Sequence, residues 1–71
     1  MPEQVRAEMV ANVMEVVASV GTEVAEGDTI VLLESMKMEI PVLCENAGTV
    51  TEVAVRPGDV IQAGDLIAVI A

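Results

Sequence analysis

Aromatic residues and histidine are absent from this chain of 71 residues, and cysteine and lysine occur once each. With no histidine or tyrosine, and nothing to activate Cys44, the sequence offers no acid–base pair or nucleophile of its own, so catalysis by this chain is not expected. One cysteine cannot close an internal disulfide. Cys44 therefore reads as a small core or edge thiol in a reducing compartment. Three cations stand against twelve carboxylates, a net charge of −9. That balance excludes nucleic acid, which needs basic patches and usually stacking aromatics, and it disfavours anionic membrane surfaces. No apolar run reaches the length of a membrane span, and the first eight residues lack the basic and apolar regions of a signal peptide. A cytoplasmic protein is the expectation.

What is present points to strands. A core without aromatics must be built from Val, Ile, Leu, Ala and Met, and Val, Ile and Thr make up about a third of the chain. Gly, Pro, Asp and Asn are scattered between the apolar runs as punctuation for short turns, the pattern of an all-β sandwich or barrel. At this length one small domain, residues 1–71, is expected, burying only about 60% of its unfolded surface.

A shift of 37 residues lays residues 5–34 over 42–71 without a gap, and nine of the thirty pairs are identical. Gly21/Gly58, Gly27/Gly64 and Asp28/Asp65 are among them, with Val13/Val50 and Ile30/Ile67. Glycine marks positions where positive φ or close backbone approach is needed. Shared punctuation therefore means two copies of one supersecondary unit, too few for a solenoid but suited to a sandwich with an internal two-fold axis. Each copy reads as four short strands: 4–10, 12–18, 22–25 and 29–34 in the first, then 39–44, 49–55, 60–62 and 66–70 in the second. The turns between them carry good turn residues, such as Arg56-Pro57-Gly58-Asp59. Residues 10–12 are an exception.

The other exception is the join between the copies, Glu34-Ser35-Met36-Lys37-Met38-Glu39. Tight hairpins favour Asn-Gly, Asp-Gly or Gly, and this segment has none of them. A segment that breaks local rules within a consistent sequence is a candidate functional site. It also holds the only lysine. A plainer alternative is a solvated lysine on a strand between two gap-filling core methionines; at a turn, by contrast, Met36 and Met38 would be exposed and suited to recognition. Glu34 and Glu39 flank the lysine, placed for a local ion pair or for contact with a partner. The remaining carboxylates, Glu15, Glu52, Asp28 and Asp65 among them, show no clustering that would make a metal site, and no phosphate-binding fingerprint is present.

Glu34-Ser35-Met36-Lys37-Met38, with Glu26-Gly27-Asp28-Thr29-Ile30 before it and Gly48-Thr49-Val50 and Pro57-Gly58-Asp59-Val60 after it, resembles the biotinyl domains of the biotin/lipoyl attachment family. The resemblance covers nearly the whole chain and extends to the small free-standing biotinylated proteins. It implies a flattened barrel-sandwich of two four-stranded antiparallel sheets, with the modified lysine on an exposed hairpin tip and the chain termini at the other end. It further implies that a biotin protein ligase attaches biotin to Lys37. A biotin carboxylase would then load a carboxyl group, and a carboxyltransferase would pass it to an acceptor. Met36 and Met38 match the methionines that mark biotin rather than lipoate. Two departures concern fold detail: Ala11-Asn12 stands where many members have a Pro-Gly-type turn, and Cys44-Glu45 where they have Ala-Pro. The gapless repeat leaves no room for the protruding thumb of some bacterial acetyl-CoA carboxylase carriers.

The residues alone also suit a carrier. One lysine allows one acylation product, and the flexible stem of a tip lysine lets a cofactor swing while the hard chemistry stays with cofactor and partners. Such a carrier is expected to be monomeric on its own. Two other readings stay open: a lipoyl carrier of a 2-oxo acid dehydrogenase-type complex, and an unmodified barrel-sandwich adaptor module.

Overall fold

The computed structural model describes residues 2–71. Eight strands follow in order: β1 (Glu3–Arg6), β2 (Ala11–Val16), β3 (Glu23–Val24), β4 (Thr29–Ser35), β5 (Met38–Leu43), β6 (Gly48–Val53), β7 (Val60–Ile61) and β8 (Leu66–Ile70). They form two four-stranded sheets, β1-β8-β6-β3 and β5-β4-β2-β7, in which every pairing is antiparallel. The all-β barrel-sandwich expected from the sequence is the observed fold. Among the described residues no helix is long and apolar enough to cross a membrane.

Each sheet mixes the two repeats. The 37-residue shift turns β1, β2, β3 and β4 into β5, β6, β7 and β8, and so exchanges one sheet with the other. The turn hydrogen bonds follow the same rule. Gly21 N–H donates to the Val50 carbonyl at 2.8 Å, and Gly58 N–H donates to the Val13 carbonyl at 2.8 Å. Gly27 N–H reaches the Cys44 carbonyl at 2.9 Å, and Gly64 N–H reaches that of Ala7 at 2.8 Å. These four glycines have φ between 88° and 95°, a region that L side chains rarely adopt. Asp28 Oδ2 accepts from Ala25 N–H at 2.8 Å, and Asp65 Oδ2 from Gln62 N–H at 2.9 Å. The pseudo-dyad thus extends from strand order down to single turn bonds.

The core lies between the sheets and obeys the dyad too. Ile30, Val31, Leu33, Val50, Ile67 and Ile70 are its largest fully buried side chains, each stabilising the fold by about 1.5–3 kcal/mol relative to exposure. Cys44 is buried beside them, and its thiol donates to the Ala25 carbonyl at 3.0 Å.

Strand boundaries differ most from the sequence expectation at β1, while β2 and β6 each end two residues early, at Val16 and Val53. The first strand ends at Arg6 rather than at residue 10. Ala7 leaves the ladder because its N–H is given to the Asp65 carbonyl at 2.9 Å while its own carbonyl accepts from Gly64. Residues 8–10 then cross from one sheet to the other, which explains why good tight-turn residues are missing there: the chain changes sheets instead of reversing within one.

Candidate functional site

β4 is a central strand, bonded to β2 on one side and β5 on the other. Its pairing with β5 runs from Thr29↔Leu43 to Leu33↔Ile40, Glu34↔Glu39 and finally Ser35↔Met38. Only Met36 and Lys37 lie beyond the last pair, so the join between the repeats is a two-residue hairpin. Their φ angles are 52° and 65°. Positive φ at both central residues is the geometry of a type I′ turn, which suits the twist of the flanking strands and normally selects Asn-Gly. Non-glycine residues in this region cost on the order of 1–3 kcal/mol each. The hairpin therefore carries strain at the two positions where the sequence departs from turn chemistry.

Lys37 stands exposed at this tip. Met36 is 89% exposed and Met38 60%, so neither methionine belongs to the core. The plainer reading of a strand lysine between two buried methionines fails on that point. It also fails on local geometry, because Met36 and Lys37 lie in the turn and only Met38 is in a strand. Glu34 and Glu39 are directly opposed across the ladder and both exposed. Two like charges so placed are mildly destabilising. Among the described residues the side-chain hydrogen bonds fall elsewhere, those of Glu3, Arg6, Cys44, Asp28, Asp59 and Asp65 among them. Among the described residues no ion pair with Lys37 is seen.

The base of the hairpin is firm. Leu33, two residues before Ser35, is 1% exposed and paired to Ile40, which packs against the core. A cleft of about 380 Å³ between β1 and β5 is lined by Val5, Met9, Ile40 and Val42 among others, but Lys37 is not part of it. A second, of about 310 Å³, lies around Asp59 and Leu66. What the tip offers is therefore one amine, two apolar neighbours and two carboxylates in open solvent. An acyl group joined to that amine would be held by its bond alone, free to enter another protein's active site. No cluster of three metal-binding side chains occurs among the described residues.

The family model described as "Biotin-requiring enzyme" matches residues 3–70. The chain belongs to the biotin/lipoyl attachment family. It is 71% identical over 70 residues to a "Biotinylated protein TB7.3 homolog" of Mycolicibacterium smegmatis, and 67% identical over 70 residues to the protein of that name in Mycobacterium leprae. Each alignment covers 99% of both chains. Among solved structures, the Kluyveromyces lactis urea carboxylase contains a region that matches with a TM-score of 0.94 and 35% identity, covering all of this chain and 6% of that one. The sequence resemblance thus holds at the level of the family, and its biotinylated members include proteins of this length. Covalently held biotin is the cofactor that goes with this branch of the family, whose domains are carriers rather than catalysts. Ser35, named in the sequence only as part of the motif, is half-buried and pairs with Met38 to close the turn. Its only signal was its place beside the lysine.

Proposed function

We propose that this chain is a biotin carboxyl carrier, with biotin joined through an amide bond to Lys37 Nζ. The observation that carries this reading is the single lysine of the sequence, exposed on a strained two-residue turn between two exposed methionines. A biotin protein ligase makes the amide, reading Met36 and Met38 and the carboxylates of Glu34 and Glu39. The cofactor supplies a ring nitrogen that accepts and releases a carboxyl group. A biotin carboxylase loads that group and a carboxyltransferase removes it.

The chain's own part is positional. The buried Leu33 and its partner Ile40 anchor the hairpin, the turn throws the lysine stem outward, and the stem's rotatable bonds give the tethered group its reach. Acylation removes the one positive charge at the tip, leaving the opposed glutamates as its nearest charged groups. A cytoplasmic setting, where Cys44 stays reduced, and a monomeric free form complete the proposal.

The lipoyl alternative loses ground to the two methionines and to the biotinylated relatives. An adaptor would have no need of a strained turn displaying a unique amine. Intact mass of the protein expressed with a biotin ligase tests the attachment. One biotin on the unsubstituted chain and none on Lys37→Arg is the result expected, and biotin on the variant would overturn it.

A further inference from the structure

The pseudo-dyad acts as an internal control for the surface, because each exposed residue within the two repeats has a mate in the other copy. On the sheet β5-β4-β2-β7 and at the entry to its strand β2, Val10, Met14, Leu43 and Val60 are exposed large apolar side chains, Val10 at 62% and Val60 at 67%. Their mates are Ala47, Thr51, Arg6 and Glu23, by 10 + 37, 14 + 37, 43 − 37 and 60 − 37. No mate is a large apolar residue. The fold can therefore be built with small, polar or charged residues at these positions, and the apolar choice on one sheet alone calls for another cause. Exposed apolar patches of this kind mark interaction sites.

The registers place the patch. Asn12 pairs with Val60 on one side and Glu34 on the other, and Glu34 pairs with Glu39, so one row crosses all four strands. Val10, exposed at the end of the crossing segment, stands next to the buried Ala11 that opens β2. Met14 is exposed in the bulge between Val13 and Glu15. Pro41 and Leu43 follow Glu39 along the outer face of β5. The face is apolar with carboxylates set into it. It is continuous with the tip, since β4 and β5 are strands of this sheet.

We infer that this face docks the biotin carboxylase that acts on Lys37, through an apolar patch on the enzyme edged by lysine or arginine. The inference rests on the proposed carrier function. Glu15, Glu34 and Glu39 call for a basic counterpart. A second copy of the chain would set −9 against −9, so charge repulsion opposes self-association. The ligase acts once, on an amine that the tip already presents clear of the fold. Carboxylation recurs in every cycle and depends on where the tethered arm points, which a docking face on the same sheet fixes.

The test replaces the patch with residues of the kind the fold already accommodates. The variant Val10→Ala/Met14→Thr/Val60→Thr leaves the charge unchanged, and the control Ala47→Val/Thr51→Met makes the reverse exchange on the other sheet. All are biotinylated first, their thermal unfolding is compared, and carboxylation by a biotin carboxylase with ATP and labelled bicarbonate is followed against carrier concentration. The face variant should lose about tenfold or more in kcat/KM, chiefly through KM, while the control stays within about twofold. Three results would overturn the inference and leave the carrier function standing: an unchanged KM for the folded face variant, a defect confined to biotin attachment, or a wild-type dimer in sedimentation that the variant abolishes. Failure of the unsubstituted biotinylated protein to accept label would overturn the carrier function itself, and this inference with it.

Discussion

Met36 and Lys37 are consecutive residues in left-handed backbone, φ 52° and 65°, in a turn that lacks glycine and asparagine. Stability and function thus pull in opposite directions at Met36. Met36→Asn should stabilise the fold by about 1 kcal/mol, since asparagine tolerates this conformation. The same change should slow biotin attachment by removing an exposed apolar contact. Chemical denaturation and ligase kinetics on one pair of proteins check both halves.

Lys37→Arg keeps the charge at an exposed position. Its stability should lie within about 0.5 kcal/mol of the unsubstituted chain. Avidin binding should vanish. Denaturant midpoints and an avidin blot read the two effects separately.

The dyad makes an energetic prediction. Asp28→Ala and Asp65→Ala each remove one carboxylate bond to a turn amide, of 2.8 and 2.9 Å. Each should cost about 1 kcal/mol, and the double variant should cost their sum, because the two turns share no hydrogen-bond partner. Unequal costs would show that the turns are alike in geometry but not in energy.

Gly48 tests a different demand on glycine. A Cβ there would meet the Ala71 carbonyl oxygen at 2.5 Å and the Ile70 side chain at 2.9 Å. Gly48→Ala should therefore destabilise the fold by about 1–3 kcal/mol. Ala11, its mate under the 37-residue shift, already has a Cβ in the equivalent place. A thermal melt of the variant decides the matter.

The gapless repeat made Gly21 and Gly58, and Gly27 and Gly64, legible as equivalent turns, because positive φ leaves a residue-type signature. The mixing of the repeats within each sheet was not legible, since identical units say nothing about which edges pair. β1 looked longer than it is because residues 7–10 are apolar enough for a strand. The backbone bonds of Ala7 go instead to the turn at Gly64 and Asp65, a long-range effect with no local sign. The tip was legible through what Met36-Lys37-Met38 lacks as a turn. The apolar outer face was not, because Val10 and Val60 look like core residues until Ala47 and Glu23 are seen to fill the same positions.

The central claim is that the chain carries a carboxyl group on biotin at Lys37 and performs none of the chemistry itself. Biotinylated protein, ATP and labelled bicarbonate, with and without a biotin carboxylase, test it most directly. Protein-bound label should appear only when the carboxylase is present, and never on Lys37→Arg. Label gained without the enzyme would mean that the chain has a catalytic site of its own, and label on Lys37→Arg would place the carrier group elsewhere.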